Sequence, residues 1–227
     1  QFKMLQESLA KMASVHVSNF HSAYLFYPIL DPHGVVNSGI ATFSKYKIDK
    51  VIRKSLEITD AFPSKFFDLD RCFSASYLKT NHDNYLVIVN VHLSAYDKGG
   101  VYRKKQLQQL NSFLEVEYQK GNYVVCGGDF NHDIANSMYV FETKQEKPEW
   151  VYGLNNDDLN ENFSFATNNN IPTCRSTDMP YEKNVNYTVV LDGFIVSKNV
   201  DVIMVENVDT NFEYSDHNPV YMKFVLK

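Results

Sequence analysis

Residues 124–133 read VVCGGDFNHD. An apolar run is followed by two glycines, then by an aspartate and an asparagine two positions apart. The run reads as a buried strand, and glycine removes the Cβ that would crowd a ligand or a neighbouring strand. Asp129 and Asn131 share one face if strand pairing continues past Asp129. A carboxylate beside an amide can orient water, accept its proton, and hold an oxyanion or a hard cation. The same two residues after Gly-Gly also suit a plain turn. Which reading holds depends on what else converges there.

Upstream, VYRKKQLQQLNSFLEVEYQ (101–119) places Leu107, Leu110 and Leu114 at helical spacing beside Phe113. Gly121-Asn122 closes that helix and NYVVCGGD returns as a strand. NYLVIVNVHLS and FFDLDRCFSASYLK bracket TNHDN, a hairpin turn, and KIDKVIRKSLEI alternates like a half-exposed strand. SAYLFYPIL and GIATFSK are strand-like around the turn DPHGVVN. FKMLQ (2–6) reads as the end of a strand, and Glu7 to Asn19 as helix or loop. Downstream, residues 134–188 are Asn-rich and irregular, the composition of functional surface loops. VVLDGFIVS, VDVIMVEN and PVYMKFVL supply three more strands. A strand–helix–strand unit among many strands predicts an α/β chain, a mixed sheet covered by helices, forming one domain over 1–227.

The bulk numbers agree. At 227 residues and 44 % hydrophobic content the chain can bury one core, and its net charge of −5 gives no field toward nucleic acid or an anionic membrane. The three cysteines, Cys72, Cys126 and Cys174, show no zinc-type spacing. Reduced thiols favour the cytoplasm. No stretch reaches the length of a membrane span, and the opening Gln1 leaves room for a removed leader.

Three further positions place chemistry at strand ends. YSDHNPV (214–220) pairs Asp216 with His217, an acid–imidazole couple that doubles as turn chemistry. His92 closes the apolar run VIVNVH, and Asp192 interrupts VVLDGFIVS. A carboxylate in an apolar strand needs a partner, and histidine is the obvious one. Singly each has a bland structural reading; together they suggest a site.

In this order NVHL, GGDFN, LDGFIVS and SDHNPV resemble the endonuclease/exonuclease/phosphatase superfamily, which includes deoxyribonucleases, abasic-site endonucleases, neutral sphingomyelinases and inositol-polyphosphate phosphatases. The resemblance covers nearly the whole chain. It implies a four-layer α/β/β/α sandwich of two packed mixed sheets flanked by helices. The family's opening strand, with its active-site asparagine, is missing here, so the domain reads as N-terminally truncated. MLQES resembles the family's Gln-Glu pair, thirty-two residues before Gly39 of SGIATFSK. By that resemblance Glu7 is the principal metal ligand and Asp216 adds a direct or water-mediated contact. Asp129 resembles the residue that orients or deprotonates the attacking water, and Asn131 its phosphate-contacting neighbour. Asp192 resembles the acid that pairs with the terminal histidine, His217. His92 resembles the second histidine of the deoxyribonuclease and sphingomyelinase branches, where abasic-site enzymes carry tyrosine.

The implied chemistry is hydrolysis of a phosphodiester or phosphomonoester by in-line attack of water, with Mg²⁺ or Mn²⁺ favoured by oxygen ligands. The expected partner is a phosphoester substrate bound by a monomer. Nucleic acid, a lipid headgroup or a sugar phosphate all stay open, as does a non-catalytic scaffold of the same fold. Arg103, at the head of the 101–119 helix, is a candidate phosphate grip, with a solvated basic face as the alternative. Trp150 lies in the variable region, and Thr173 and Arg175 in PTCRST resemble a T-x-R element.

Overall fold

The structure is a computed structural model that describes residues 1–25, 34–58, 71–81, 83–95 and 101–227. Its elements run α1 (Phe2–Ser8), β1 (Ala13–Leu25), β2 (Gly34–Ser44), β3 (Lys50–Ser55), β4 (Cys72–Lys79), β5 (Tyr85–His92), α2 (Val101–Gln119) and β6 (Tyr123–Asp129). They continue through β7 (Phe163–Ala166), β8 (Cys174–Arg175), β9 (Thr188–Val189), β10 (Asp192–Ser197), β11 (Val200–Asn207) and β12 (Val220–Leu226). Six strands form a mixed sheet in the order β3-β4-β5-β6-β10-β7. β5 and β6 are parallel, as a strand–helix–strand crossover requires, while β4–β5 and β6–β10 are antiparallel.

The strands of this sheet alternate cleanly. Val87, Val89 and Val91 of β5, with Val124 and Cys126 of β6, join Leu107, Leu110 and Leu114 of α2 in one buried cluster. The residues between them, Leu86, Ile88, Tyr123 and Val125, pack with Met222, Phe224 and Leu226 of β12 in a second cluster. The period of two thus puts α2 on one face of the sheet and the β11–β12 hairpin on the other. The β1–β2 hairpin also lies on that second face, since Asn90 Nδ2 donates to the Ala41 carbonyl at 3.0 Å. The result is two packed sheet layers with α2 outside one, and with α1 set against the β1–β2 hairpin through Phe2 on His16 and Phe43. A groove of about 660 Å³ runs between β2 and β12 over β5, β6 and β10.

Two sequence expectations change. Residues 2–6 are the body of a helix, not a strand end, and residues 13–19 are strand, not helix or loop. The alternation in SVHVS is satisfied by pairing with β2, Val15 opposite Thr42 and Val17 opposite Ile40. The part of SAYLFYPIL beyond Leu25, residues 31–33 of the expected turn, the start of FFDLDRCFSASYLK and His82 of TNHDN lie outside the described residues.

Candidate active site

One row across the sheet carries the site. Where β5, β6 and β10 reach the same edge, His92 pairs with Asp129, and Asp129 with Asp192. A histidine and two carboxylates therefore stand side by side on three adjacent strands. Gly128 makes the approach feasible: its φ is +152°, and a Cβ there would lie 2.0 Å from the Val91 carbonyl oxygen. A Cβ on Gly127 would meet the Phe194 ring at 2.8 Å. The glycines before Asp129 thus let β6 seat tightly between its neighbours.

β6 ends at Asp129, and Asn131 turns out with φ 49°. Strand pairing does not continue, so Asn131 reaches its neighbour by folding back. Its backbone N–H donates to Asp129 Oδ1 at 2.8 Å, and its Nδ2 donates to Asp129 Oδ2 at 3.1 Å and to the Leu93 carbonyl at 2.8 Å. The amide that the family resemblance assigns to phosphate here clamps the carboxylate.

His217 enters from the loop before β12. Its Nδ1 lies 2.8 Å from Asp192 Oδ2, and its Nε2 lies 3.9 Å from Asp129 Oδ2. On the other side of the same oxygen, His92 Nε2 lies at 3.4 Å. The two imidazoles are held in opposite states. Burial pushes the His92 pKa down, helped by the positive charges of Arg71 and His217, to about 3. Burial also opposes charge on His217, but its hydrogen bonds to Asp192 and Cys174 and the Asp192 charge outweigh this and raise it to about 12. For Asp129, burial and then the Asp192 charge raise the carboxyl to about 7, against the pull of His217, the Asn131 amide and Arg71. Two carboxylates directly opposite one another repel, so one of them must bind its proton more tightly.

These groups line a cavity of about 900 Å³ that also takes in Asn131, Asp216, Trp150, Glu146, Arg175 and Asp178. Among the described residues Asp129, Asp192 and His217 offer ligand atoms within 4.8 Å of one another. With Asp216 at the rim the donor set is rich in carboxylate oxygen, which fits a hard divalent cation.

No family model matches the chain. It is 24 % identical over 245 residues to the inositol phosphosphingolipids phospholipase C of Schizosaccharomyces pombe, covering 94 % of this chain and 58 % of that protein. The chain thus spans less than two thirds of the length of that relative. The human Nocturnin catalytic domain with bound sulfate superposes with a TM-score of 0.63 at 17 % identity, over 100 % of this chain and 76 % of that one. An endonuclease/exonuclease/phosphatase from Beutenbergia cavernae superposes with a TM-score of 0.64 at 16 % identity, over 99 % and 57 %. The chain has the endonuclease/exonuclease/phosphatase fold.

Within the endonuclease/exonuclease/phosphatase fold, His92, Asp129, Asn131, Asp192, Asp216 and His217 meet in one cavity, from four separate stretches of sequence. Two expected residues do not join them. Glu7 is exposed on α1 and is not among the residues lining the cavity, because the MLQES stretch coils as a helix instead of ending a strand. Arg103 is fully buried (0 % exposed), and its Nη1 donates to the carbonyls of Asn131 and Trp150 at 3.2 and 2.9 Å. It braces the turn behind the site and is shielded from any substrate. Two contributors escaped the sequence. Cys174 pairs with His217 in an isolated antiparallel β-bridge, and its thiol lies in hydrogen-bonding contact with the imidazole. Arg71 is buried and its charge reaches both His92 and Asp129. A cation directly before the apolar run of β4 was the one available signal.

Proposed function

We propose that the chain carries the catalytic face of a divalent-metal-dependent phosphodiesterase, with Mg²⁺ or Mn²⁺ as the ion and a phospholipid-type headgroup ester as the substrate class. The observation behind this reading is Asp129 flanked by one neutral and one protonated histidine in one cavity. Asp129, facing the cavity between His92 and His217, is placed to accept the proton of an attacking water. Asn131 fixes the direction of that carboxylate. His217, with Nδ1 held by Asp192, presents its Nε2–H to the cavity, where it can bond a phosphate oxygen or protonate the departing alkoxide. Neutral His92 completes the polar wall. The new O–P bond forms from water as the ester O–P bond breaks, and the leaving oxygen takes the His217 proton. A bound divalent cation, held by Asp129, Asp192 and Asp216, would supply positive charge toward the phosphate.

The phospholipase C named above supports a lipid phosphodiester over nucleic acid. The test is Mg²⁺-dependent hydrolysis of bis(p-nitrophenyl) phosphate, lost on chelation and in Asp129→Ala and His217→Ala. Full activity in those variants would remove the mechanism. A panel of sphingomyelin, inositol phosphosphingolipid, single-stranded DNA, duplex DNA and RNA tests the substrate class. Turnover of the nucleic acids alone would remove the lipid reading.

A further inference from the structure

Two side-chain hydroxyls carry the backbone that leads into Asp192. β9 ends at Val189 and β10 begins at Asp192, so Val190 and Leu191 link two different sheets. Both are buried, and buried backbone groups have to find partners inside the protein. Their carbonyls are taken by the turn after Asp129: the Ile134 N–H donates to the Val190 carbonyl at 3.3 Å, and the Phe130 N–H to the Leu191 carbonyl at 3.0 Å. The N–H groups go to the hydroxyls. That of Val190 donates to Ser137 Oγ at 2.8 Å, and those of Leu191 and Asp192 donate to Thr173 Oγ1 at 2.9 and 3.1 Å. A hydroxyl oxygen has two lone pairs, and Thr173 spends both here.

Thr173 also holds the other half of the acid–imidazole pair. It is fully buried, stands directly before β8, and its carbonyl accepts the N–H of Asn218 at 2.8 Å. On the far side of His217 the Arg175 N–H donates to the Asp216 carbonyl at 3.1 Å, and Cys174 lies opposite His217 between these two bonds. Asn218 Nδ2 adds a bond to the Pro172 carbonyl at 3.0 Å. Residues 172–175 thereby fix the His217 backbone from both sides, while the side chain of the same threonine fixes the backbone of Asp192. The 2.8 Å contact from His217 Nδ1 to Asp192 Oδ2 joins residues 25 apart in sequence, and Thr173 is bonded to the chain at both of its ends.

We infer that Thr173 is the positioning residue of the Asp192–His217 pair, its hydroxyl setting the backbone of one partner and its carbonyl the backbone of the other. The inference rests on reading the cavity as the seat of phosphoester hydrolysis, and it names what keeps that reading's acid and imidazole in reach of each other. Thr173 is not among the residues that line the cavity, so it acts through the pair and not on substrate. A misplacement of about 1 Å at reacting groups costs up to about 10²-fold in rate.

Thr173→Val keeps the shape and removes the acceptor, leaving two buried N–H groups unbonded. Two readouts are taken. One is the downfield proton resonance of the His217 Nδ1–H, recorded at one fixed pH without added metal and assigned by its loss in His217→Gln. The other is steady-state hydrolysis of bis(p-nitrophenyl) phosphate. In Thr173→Val the resonance is expected to disappear and kcat to fall by about 10²-fold with KM unchanged. Thr173→Ser keeps the hydroxyl and should restore the resonance and most of kcat. Ser137→Ala is the matched control, since it strips the acceptor from the neighbouring Val190 N–H and leaves that of Asp192 bonded. It should keep the resonance and the parent kcat. Where Thr173→Val does not fold, Thr173→Ala is read in its place with the same expectation. A resonance absent from the parent, kept in the hydroxyl-free variant, or lost equally in Ser137→Ala overturns the inference. So does a loss that Thr173→Ser fails to reverse. The resonance is read without turnover, so a parent that shows it but hydrolyses no phosphodiester strikes the phosphoesterase reading and leaves this one standing.

Discussion

Nδ1 of His217 lies 2.8 Å from Oδ2 of Asp192, joining the loop before β12 to the first residue of β10. This one contact fixes which ring nitrogen faces the cavity and, with Cys174, holds the imidazole protonated against the cost of its own burial. Asp192→Asn removes the charge and keeps the shape. We expect kcat/KM to fall by about 10²–10⁴-fold, the scale seen when a histidine loses its orienting carboxylate. Without Asp192 the His217 pKa drops, so the alkaline limb of the pH–rate profile moves to lower pH. A variant with near-normal activity and an unmoved limb would deny the pair its role.

His92 gives a prediction of opposite sign. Its folded-state pKa of about 3 lies below the ordinary value of 6.5, so between these values the unfolded chain binds the proton and the folded chain does not. Stability is therefore lost on this account as pH falls through 6.5 toward 3. Asp129 works the other way, since its raised pKa favours the folded state as pH falls from about 7. Comparison with His92→Gln isolates the histidine. The drop in Tm from pH 7 to pH 4 should be smaller in the variant than in the parent, measured by scanning calorimetry. An equal or larger drop in the variant would show that His92 is not held neutral.

Much of this was legible in the sequence because it sits at strand ends. NYVVCGGD and VIVNVH are apolar runs that stop on a polar residue, and the parallel pairing of β5 and β6 brings those two stops together. Asp192 needed a partner on dielectric grounds alone, and His217 is that partner. The helix at 101–119 followed from the spacing of its leucines. What failed was local. FKMLQES is as compatible with a helical turn as with a strand, and spacing to Gly39 says nothing about backbone shape. Arg103 failed for a different reason. Lys104 and Lys105 beside it made a basic face plausible, but two positions along a helix are about 200° apart, which turns Arg103 inward while Lys105 meets Glu57 at the surface. Cys174 could not be found, because its contact with His217 depends on β8 and the loop before β12, which are distant in sequence.

Gly128 tests how tightly the site edge is packed. An alanine Cβ there would sit 2.0 Å from the Val91 carbonyl oxygen and 2.9 Å from its carbon, backbone atoms of a central strand that cannot yield. The left-handed φ of +152° adds strain of its own. Gly128→Ala should cost about 3 kcal/mol in urea unfolding, at the upper end for overpacking. Gly153→Ala is the control: its Cβ meets only the Met138 methyl at 3.0 Å, a flexible end, and should cost less than about 1 kcal/mol. Equal costs would mean that β5 and β6 adjust more freely than their register implies.

Arg103 separates a brace from a grip. If it held substrate phosphate, Arg103→Ala would raise KM and leave stability alone. Its position predicts the reverse. The guanidinium is buried, lies 5.0 Å from the centre of the Tyr152 ring, and ties the Asn131 carbonyl to the Trp150 carbonyl. Removing it leaves two buried carbonyls short of a charged donor and opens a void behind the Asn131 turn, a loss of about 2–4 kcal/mol. Because Asn131 directs the Asp129 carboxylate, turnover should fall as well, through kcat more than KM. Arg103→Lys should recover only part of either quantity, since one ammonium on a flexible stem cannot reproduce the planar fork between two carbonyls. Unfolding curves and steady-state kinetics on the same preparations decide it. A variant of native stability with a raised KM alone would return Arg103 to the substrate.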